Sequence, residues 1–273
     1  MILNAKNGSI SIDGTSMPYI RFGSGSRTLI MMPGLGDGLK SVRGMALPMA
    51  IMYRMFAREY TVFMFSRRNK LPEGFTTRDM ARDVICAMDE LNIASADVVG
   101  VSMGGMIAQY IAIDHPERVS RLVLAVSASK ASVVGTEAIS QWIAMAEQGD
   151  HAALMEDNLR LIYTDRYYRR MKPLIPLAAR FTKPKSYAKF LTMARACLTH
   201  DARARLPQIT APTLVIGGMQ DRVLGGSSSP ELSALIPGAR LHMYEHLGHS
   251  AYEEAPDFNR IVFDFLLQKG ANI

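Results

Sequence analysis

The chain predicts an α/β fold built on one mostly parallel, eight-stranded sheet, with helices on both faces and a helical segment inserted between its halves. Three observations carry this. Strand-length apolar runs alternate with segments of helical spacing over about 61–126 and again over 213–267, the rhythm of parallel strands joined by crossover helices. Between these stretches, from Ser129 to about Arg205, helical patterns dominate, broken by Pro173, Pro176 and Pro184, and no convincing strand occurs. The run VVGVSMGGMIAQY, from Val98 to Tyr110, passes from strand to helix through a single serine among glycines.

Taken in order, Ser9–Ile12 and Met17–Phe22 flank the turn pair Asp13-Gly14 and read as a hairpin. Thr28–Met32 is a third strand, ending at the glycine-rich PGLGDG. An amphipathic stretch from about Val42 to Arg58 precedes the strand Thr61–Phe65. Thr76 or Thr77 can cap a helix to about Leu91, because Met80, Val84, Ala87, Met88 and Leu91 recur at helical spacing. The strand Ala96–Val101, a helix from Met103 to about Asp114 that must stop before Pro116, and the strand Val119–Val126 follow. After the insertion come the strand Thr213–Gly217, a helix from Ser229 or Pro230 to Leu235, the strand Arg240–Tyr244, and a terminal helix over Pro256–Leu267. The expected organisation is a core domain of residues 1–128 and 206–273 carrying a helical cap, 129–205.

Composition fits a globular chain with a sizeable core: 273 residues, 48% hydrophobic and 21% charged. That is far from the low-apolar, high-charge signature of disorder. Two cysteines, Cys86 and Cys197, are too few for a disulfide framework and lack zinc-binding spacing; both read as reduced core thiols. No secretory signal and no apolar run of membrane-spanning length is evident, so a soluble cytoplasmic protein is expected. The net charge of +6 is confined to one segment: residues 128–205 carry 13 Lys and Arg against 7 Asp and Glu, while the remainder balances at 18 of each. This argues against nucleic acid as a partner and for a solvated basic surface on the inserted helices. No nucleic-acid or membrane partner is expected, only a small-molecule substrate; a homo-oligomer is left open.

The chemistry centres on Gly100-Val101-Ser102-Met103-Gly104. A parallel strand ending in a sharp turn into a helix presents the turn residue above the carboxyl edge of the sheet, where such folds place ligands. The flanking glycines permit the close backbone approach that such a turn needs, and the pattern is the G-x-S-x-G nucleophile elbow. A serine hydroxyl needs a base, and the base needs an orienting carboxylate. Of six histidines, His249 follows a predicted strand and lies in a loop before the last helix. His246 is its competitor, and Gly248 favours His249 by allowing a tight loop. His242 lies within a strand, and His115, His151 and His200 read as exposed or capping residues. Asp221, after the apolar strand and Gly-Gly break of TLVIGGMQD, is the expected acid.

Four motifs in order, PGLGDG, GVSMGGMIAQYIAIDHPERVSRLVL, APTLVIGGMQD and LGHS, make the chain resemble the α/β-hydrolase superfamily over nearly its whole length, and the elbow is similar to that of small esterases, enol-lactonases and carbon–carbon bond hydrolases. The resemblance implies a Ser102–His249–Asp221 triad and an oxyanion hole made by the backbone N–H groups of Met103 and Leu35. Pro33-Gly34 stands where the family commonly has His-Gly. SRRNKLPEG replaces the usual acidic, glycine-rich turn after the fourth strand, so Arg67, Arg68 and Lys70 are candidates for binding an anionic substrate, with surface exposure the favoured reading. Trp142, Tyr163, Tyr167, Tyr168 and Phe181 of the insertion are candidates to line the pocket, Trp142 first among them. No metal or dinucleotide motif is evident, and no cofactor is expected. The implied activity is hydrolysis of a small carboxylic ester or lactone. Carbon–carbon bond hydrolysis, perhydrolysis and lyase chemistry remain alternatives on the same site, as does a ligand-binding receptor with little turnover.

Overall fold

The computed structural model describes residues 2–268. Its strands are β1 (Lys6–Ile12), β2 (Thr15–Phe22), β3 (Arg27–Met32), β4 (Tyr60–Phe65), β5 (Ala96–Val101), β6 (Val119–Ala125), β7 (Thr213–Gly218) and β8 (Arg240–Tyr244). They form one sheet in the order β1-β2-β4-β3-β5-β6-β7-β8. β1 and β2 form a hairpin across Asp13 and Gly14, both at positive φ, as a tight hairpin turn requires. β2 runs antiparallel to β4, and every later pairing is parallel. All six residues of β7 are buried, the signature of a strand covered on both faces.

The helices are α1 (Ala46–Met52), α2 (Thr77–Glu90), α3 (Met103–Asp114), α4 (Val133–Glu147), α5 (His151–Ile162), α6 (Asp165–Met171), α7 (Ile175–Thr182), α8 (Ala188–Leu198), α9 (Ser228–Leu235), α10 (Ala251–Glu254) and α11 (Phe258–Leu266). One core is filled by α2, α3 and α9, through Met80, Val84, Ile107, Ile111 and Leu232. On the other side, α1 and α11 contribute Ala46, Ala50, Phe258 and Val262 to a second core. Thr76 caps α2 in a reciprocal capping box with Asp79, which settles the choice between Thr76 and Thr77. No helix among the described residues is long and apolar enough to cross a membrane.

The stretch from Val42 to Arg58 is helical only over α1. Beyond Met52 the chain proceeds by short turns, because Phe56 and Tyr60 are buried and draw it down onto the sheet to enter β4. Helices α4–α8 occupy the connection from β6 to β7, whose two ends meet in a bridge between Lys130 and Asp201. Further polar contacts tie the inserted segment to the chain that follows β8: the Ser250 N–H donates to the Ile162 carbonyl at 3.0 Å, and the Thr164 N–H to Glu254 at 3.0 Å.

Several polar residues differ from expectation. Cys86 is exposed rather than a core thiol, since it falls on the outer side of α2, whereas Cys197 is buried. His115 is the C-cap of α3. His151 and His200 are buried, not exposed. His151 contacts Thr182 Oγ1 at 3.1 Å. His200 is wedged between α2 and α3, with Nδ1 2.9 Å from Thr77 Oγ1 and Nε2 3.3 Å from Gln109 Oε1. Burial lowers its pKa from 6.5 to about 4, so protonation is opposed in the folded state. The stability this confers is fully present above pH 6.5 and is lost as pH falls through the window down to about 4. The loss should reach about 3 kcal/mol at the acid end. Urea midpoints measured across that window check it, and His200→Gln should flatten the dependence.

Candidate active site

The junction of β5 and α3 holds Ser102 at φ +53°, ψ −120°, a conformation that a non-glycine residue keeps only when its surroundings impose it. Here they do. The Ser102 N–H donates to the Ala125 carbonyl at 2.8 Å, and Ser127 Oγ donates to the Ser102 carbonyl at 2.9 Å, so the end of β6 holds both sides of the peptide corner. The glycines act by close approach. A Cβ at Gly104 would lie 2.1 Å from the Met32 carbonyl oxygen, and one at Gly100 would lie 2.4 Å from the Gly104 carbonyl oxygen. Neither neighbour is a flexible side chain. Gly104→Ala is therefore expected to destabilise the fold by at least about 3 kcal/mol, above the usual range for overpacking because backbone must move; a urea titration measures it.

The structure brings Asp221 and His249 to this corner from the ends of β7 and β8, on the same carboxyl edge of the sheet. His249 Nε2 lies 2.9 Å from Ser102 Oγ, and His249 Nδ1 lies 2.8 Å from Asp221 Oδ2. A carboxylate only accepts, so the proton is on Nδ1 and Nε2 is free to accept from the serine hydroxyl. The other oxygen, Asp221 Oδ1, accepts from the Val223 and Leu224 N–H groups at 2.8 and 2.9 Å. Burial alone would raise the Asp221 carboxyl; His249 and these two donors outweigh it and hold it below its ordinary value. His249 is 4% exposed, whereas His246 is exposed on the approach to this loop.

The loop after β3 packs directly on the serine: a Cβ at Gly34 would lie 3.2 Å from Ser102 Cβ. Leu35 opens a 3-10 turn whose first internal N–H donor is Asp37, and Met103 opens α3. Both N–H groups therefore precede any acceptor within their own turn, as at every helix start. The loop is held from beneath by Asp37, Ser66 and Lys189, which the sequence did not single out, and by Arg67, in a role it did not foresee. Asp37 accepts from Ser66 Oγ at 2.5 Å, from the Arg67 N–H at 2.8 Å and from Lys189 Nζ of α8 at 3.0 Å. Arg67 Nη2 donates to the Pro33 carbonyl at 2.5 Å.

Arg67 and Arg68 are thus neither surface charges nor pocket-lining ones. Arg67 is 2% exposed beneath the loop, and Arg68 is 4% exposed, with Asp13 at 2.7 Å, Asp83 at 3.1 Å and its guanidinium over the Phe75 ring. Lys70 alone of the three is exposed. The partners, buried Asp37 and Asp83 and exposed Asp13, come from distant segments, which is why local sequence placed these arginines outside. The signals for the missed residues were present but weak: Asp37 lies inside PGLGDG, and Ser127 lies two residues past the end of β6.

Ser102 and His249 open onto a cavity of about 430 Å³, a size ordinary for small-ligand sites. Trp142 lines it, with Nε1 donating to Asp157 at 2.9 Å, and so does Tyr163. Tyr167, Tyr168 and Phe181 do not line it. Tyr167 stacks on Tyr163, Tyr168 bonds Glu156, and Phe181 is 79% exposed. Cys197 also lines the cavity, and burial pushes its thiol up to about 12. Among the described residues, Lys40 is the single Lys or Arg of the lining, and it is exposed. Among the described residues no Lys or Arg of the inserted helices lines the cavity; Lys189 bonds Asp37 and the Arg67 carbonyl beneath the loop after β3. No cluster of three His, Cys, Asp or Glu side chains suited to a metal occurs among the described residues.

Residues 27–170 match the family model described as alpha/beta hydrolase fold. The chain is 33% identical over 196 residues, 69% of this chain and 68% of the other, to a 2-hydroxy-6-oxo-6-phenylhexa-2,4-dienoate hydrolase of Comamonas testosteroni. It is 29% identical over 270 residues, 91% and 89% of the two chains, to a 2-hydroxy-6-oxononadienedioate/2-hydroxy-6-oxononatrienedioate hydrolase of Paraburkholderia xenovorans. The solved enol-lactonase of Burkholderia xenovorans superposes with TM-score 0.80 at 25% identity, covering 95% of this chain and 100% of that one.

Proposed function

The chain belongs to the α/β-hydrolase family, and from that premise we propose that this hydrolase cleaves a small carboxylic ester or lactone through an acyl-enzyme on Ser102. The observation that carries the reading is the unbroken hydrogen-bonded line Ser102–His249–Asp221 facing an apolar cavity. His249 takes the hydroxyl proton as Ser102 Oγ bonds to the carbonyl carbon, and Asp221 stabilises the imidazolium. The N–H groups of Met103 and Leu35 receive the oxyanion. His249 then returns the proton to the leaving oxygen. Water repeats the sequence on the acyl-enzyme, with His249 again as base, and frees the acid. The inserted helices serve as the cap, closing the cavity with Trp142 and Tyr163.

The relatives named for dienoate and dienedioate substrates favour a second reading, carbon–carbon bond hydrolysis. Those names denote carboxylates, and among the described residues this cavity offers a substrate carboxylate no buried cation, only Lys40 at its exposed margin. A buried anion without a partner is costly, so a neutral ester or lactone suits the site better. A fluorophosphonate reagent should label wild-type protein stoichiometrically at Ser102 and leave Ser102→Ala unlabelled. A folded wild-type sample that stays unlabelled removes the reading. Turnover of a dienoate faster than of any neutral ester or lactone would replace it with the second.

A further inference from the structure

The cavity does not stop at the serine. Met64, Met31 and Val99 also line it, and they stand side by side in register on β4, β3 and β5. Val99 precedes Ser102 by three residues, so at 3.3 Å per residue this row lies roughly 10 Å down the sheet from the nucleophile. The facing wall is made by Met49 of α1, the following Phe56, and Phe258 and Val262 of α11. These residues belong to the second core, where a protein interior is ordinarily packed without voids larger than a water molecule. A hollow there, continuous with the reacting serine, is a built slot.

Its lining defines its occupant. Seven of the chain's 19 methionines line the cavity, and this unbranched, polarizable side chain adapts to a flexible partner rather than to one rigid shape. Among the described residues, no Lys or Arg lies along the sheet row or the wall of α1 and α11. Met52 lines the cavity and is 41% exposed, so the slot reaches the surface beside α1. Among the described residues, the one buried side-chain polar atom of the lining without a partner is Asn259 Oδ1, on α11.

We infer that this slot is an acyl-chain site, and that the substrates are esters of neutral, unbranched aliphatic acids whose chain runs from Ser102 down the α1–α11 face of the sheet. The inference rests on the ester reading above and adds the acyl class to it. Bond making and breaking are those already described; the slot only holds the chain.

The test is a series of p-nitrophenyl esters from acetate to decanoate, with Ser102→Ala as the blank. The expected result is kcat/KM rising about threefold to fourfold per added methylene until the slot is full. Met49→Trp should lower the decanoate-to-butanoate ratio by about an order of magnitude, the loss of one or two buried methylenes or more. Asn259→Leu, which removes the unpartnered amide, should raise that ratio, a gain that a merely damaged protein does not show. A parallel calorimetric series of methyl ketones of increasing chain length is titrated into Ser102→Ala, with and without Met49→Trp. Ser102-dependent turnover that is flat or falls with chain length overturns the acyl slot and leaves the ester reading intact. No ester turnover, but ketone binding that tightens with length and weakens with Met49→Trp, supports the slot and removes the ester reading. Failure of both series removes both.

Discussion

Ser102→Ala is expected to lower ester turnover on the order of 10⁴-fold to 10⁶-fold, with substrate binding much less affected. The asymmetry follows from the geometry. In the proposed mechanism the hydroxyl is the group that bonds to the carbonyl carbon, whereas the cavity wall and the N–H groups of Leu35 and Met103 belong to other residues and survive the change. The backbone corner survives too, because it is clamped by the Ser102 N–H and carbonyl and not by the side chain. Blank-corrected steady-state rates on a neutral ester measure the effect, and direct titration of a ketone measures binding. A variant that retains a tenth of the wild-type kcat/KM would mean that another group performs the chemistry.

Asp221→Asn should cost about 10⁴-fold in kcat near neutral pH without unfolding the protein. The carboxylate has two separable tasks. Oδ1 accepts from the Val223 and Leu224 N–H groups, and an asparagine carbonyl continues to do so. That orientation turns the amide Nδ2 toward His249 Nδ1, where a carboxylate oxygen accepted before. The imidazole must then carry its proton on Nε2, the atom 2.9 Å from Ser102 Oγ, and it can no longer accept from the serine. The wild-type carboxyl, held below its ordinary value, contributes stability that is present above that value and lost as pH falls through the lowered pKa. The variant should therefore lose less stability than wild type below pH 3.8. Comparing kcat at neutral pH with urea midpoints at neutral and acid pH separates the two tasks; equal losses in both would mean that Asp221 is only a structural residue.

Much of the fold was legible because it is written in local pattern. The Asp13-Gly14 turn, the capping box at Thr76 and the helix from Met103 to Asp114 each follow from residues within a few positions of one another. The motifs likewise pointed to Ser102, Asp221 and His249, since each closes a strand on the same edge of one parallel sheet. The buried charges were not legible. Arg67, Arg68 and His200 look like surface residues until the Pro33 carbonyl, Asp13, Asp83 and Gln109 arrive from elsewhere in the chain to receive them. Nor could periodicity foresee that the stretch after Met52 would leave its helix to seat Phe56 and Tyr60.

The sequence by itself determined the alternation of strands and helices, the strained serine corner and the order of the three motif residues. Those depend on turn sterics and on apolar spacing, which act over a few residues. Only the tertiary structure decided that 2.9 Å and 2.8 Å contacts join residues up to 147 positions apart, that Arg67 braces the loop beneath Pro33, and that the second core is hollow beside Met31 and Met64. Burial, pairing and empty volume are properties of what surrounds a side chain, and the surroundings exist only once the whole sheet has closed over its two layers of helices.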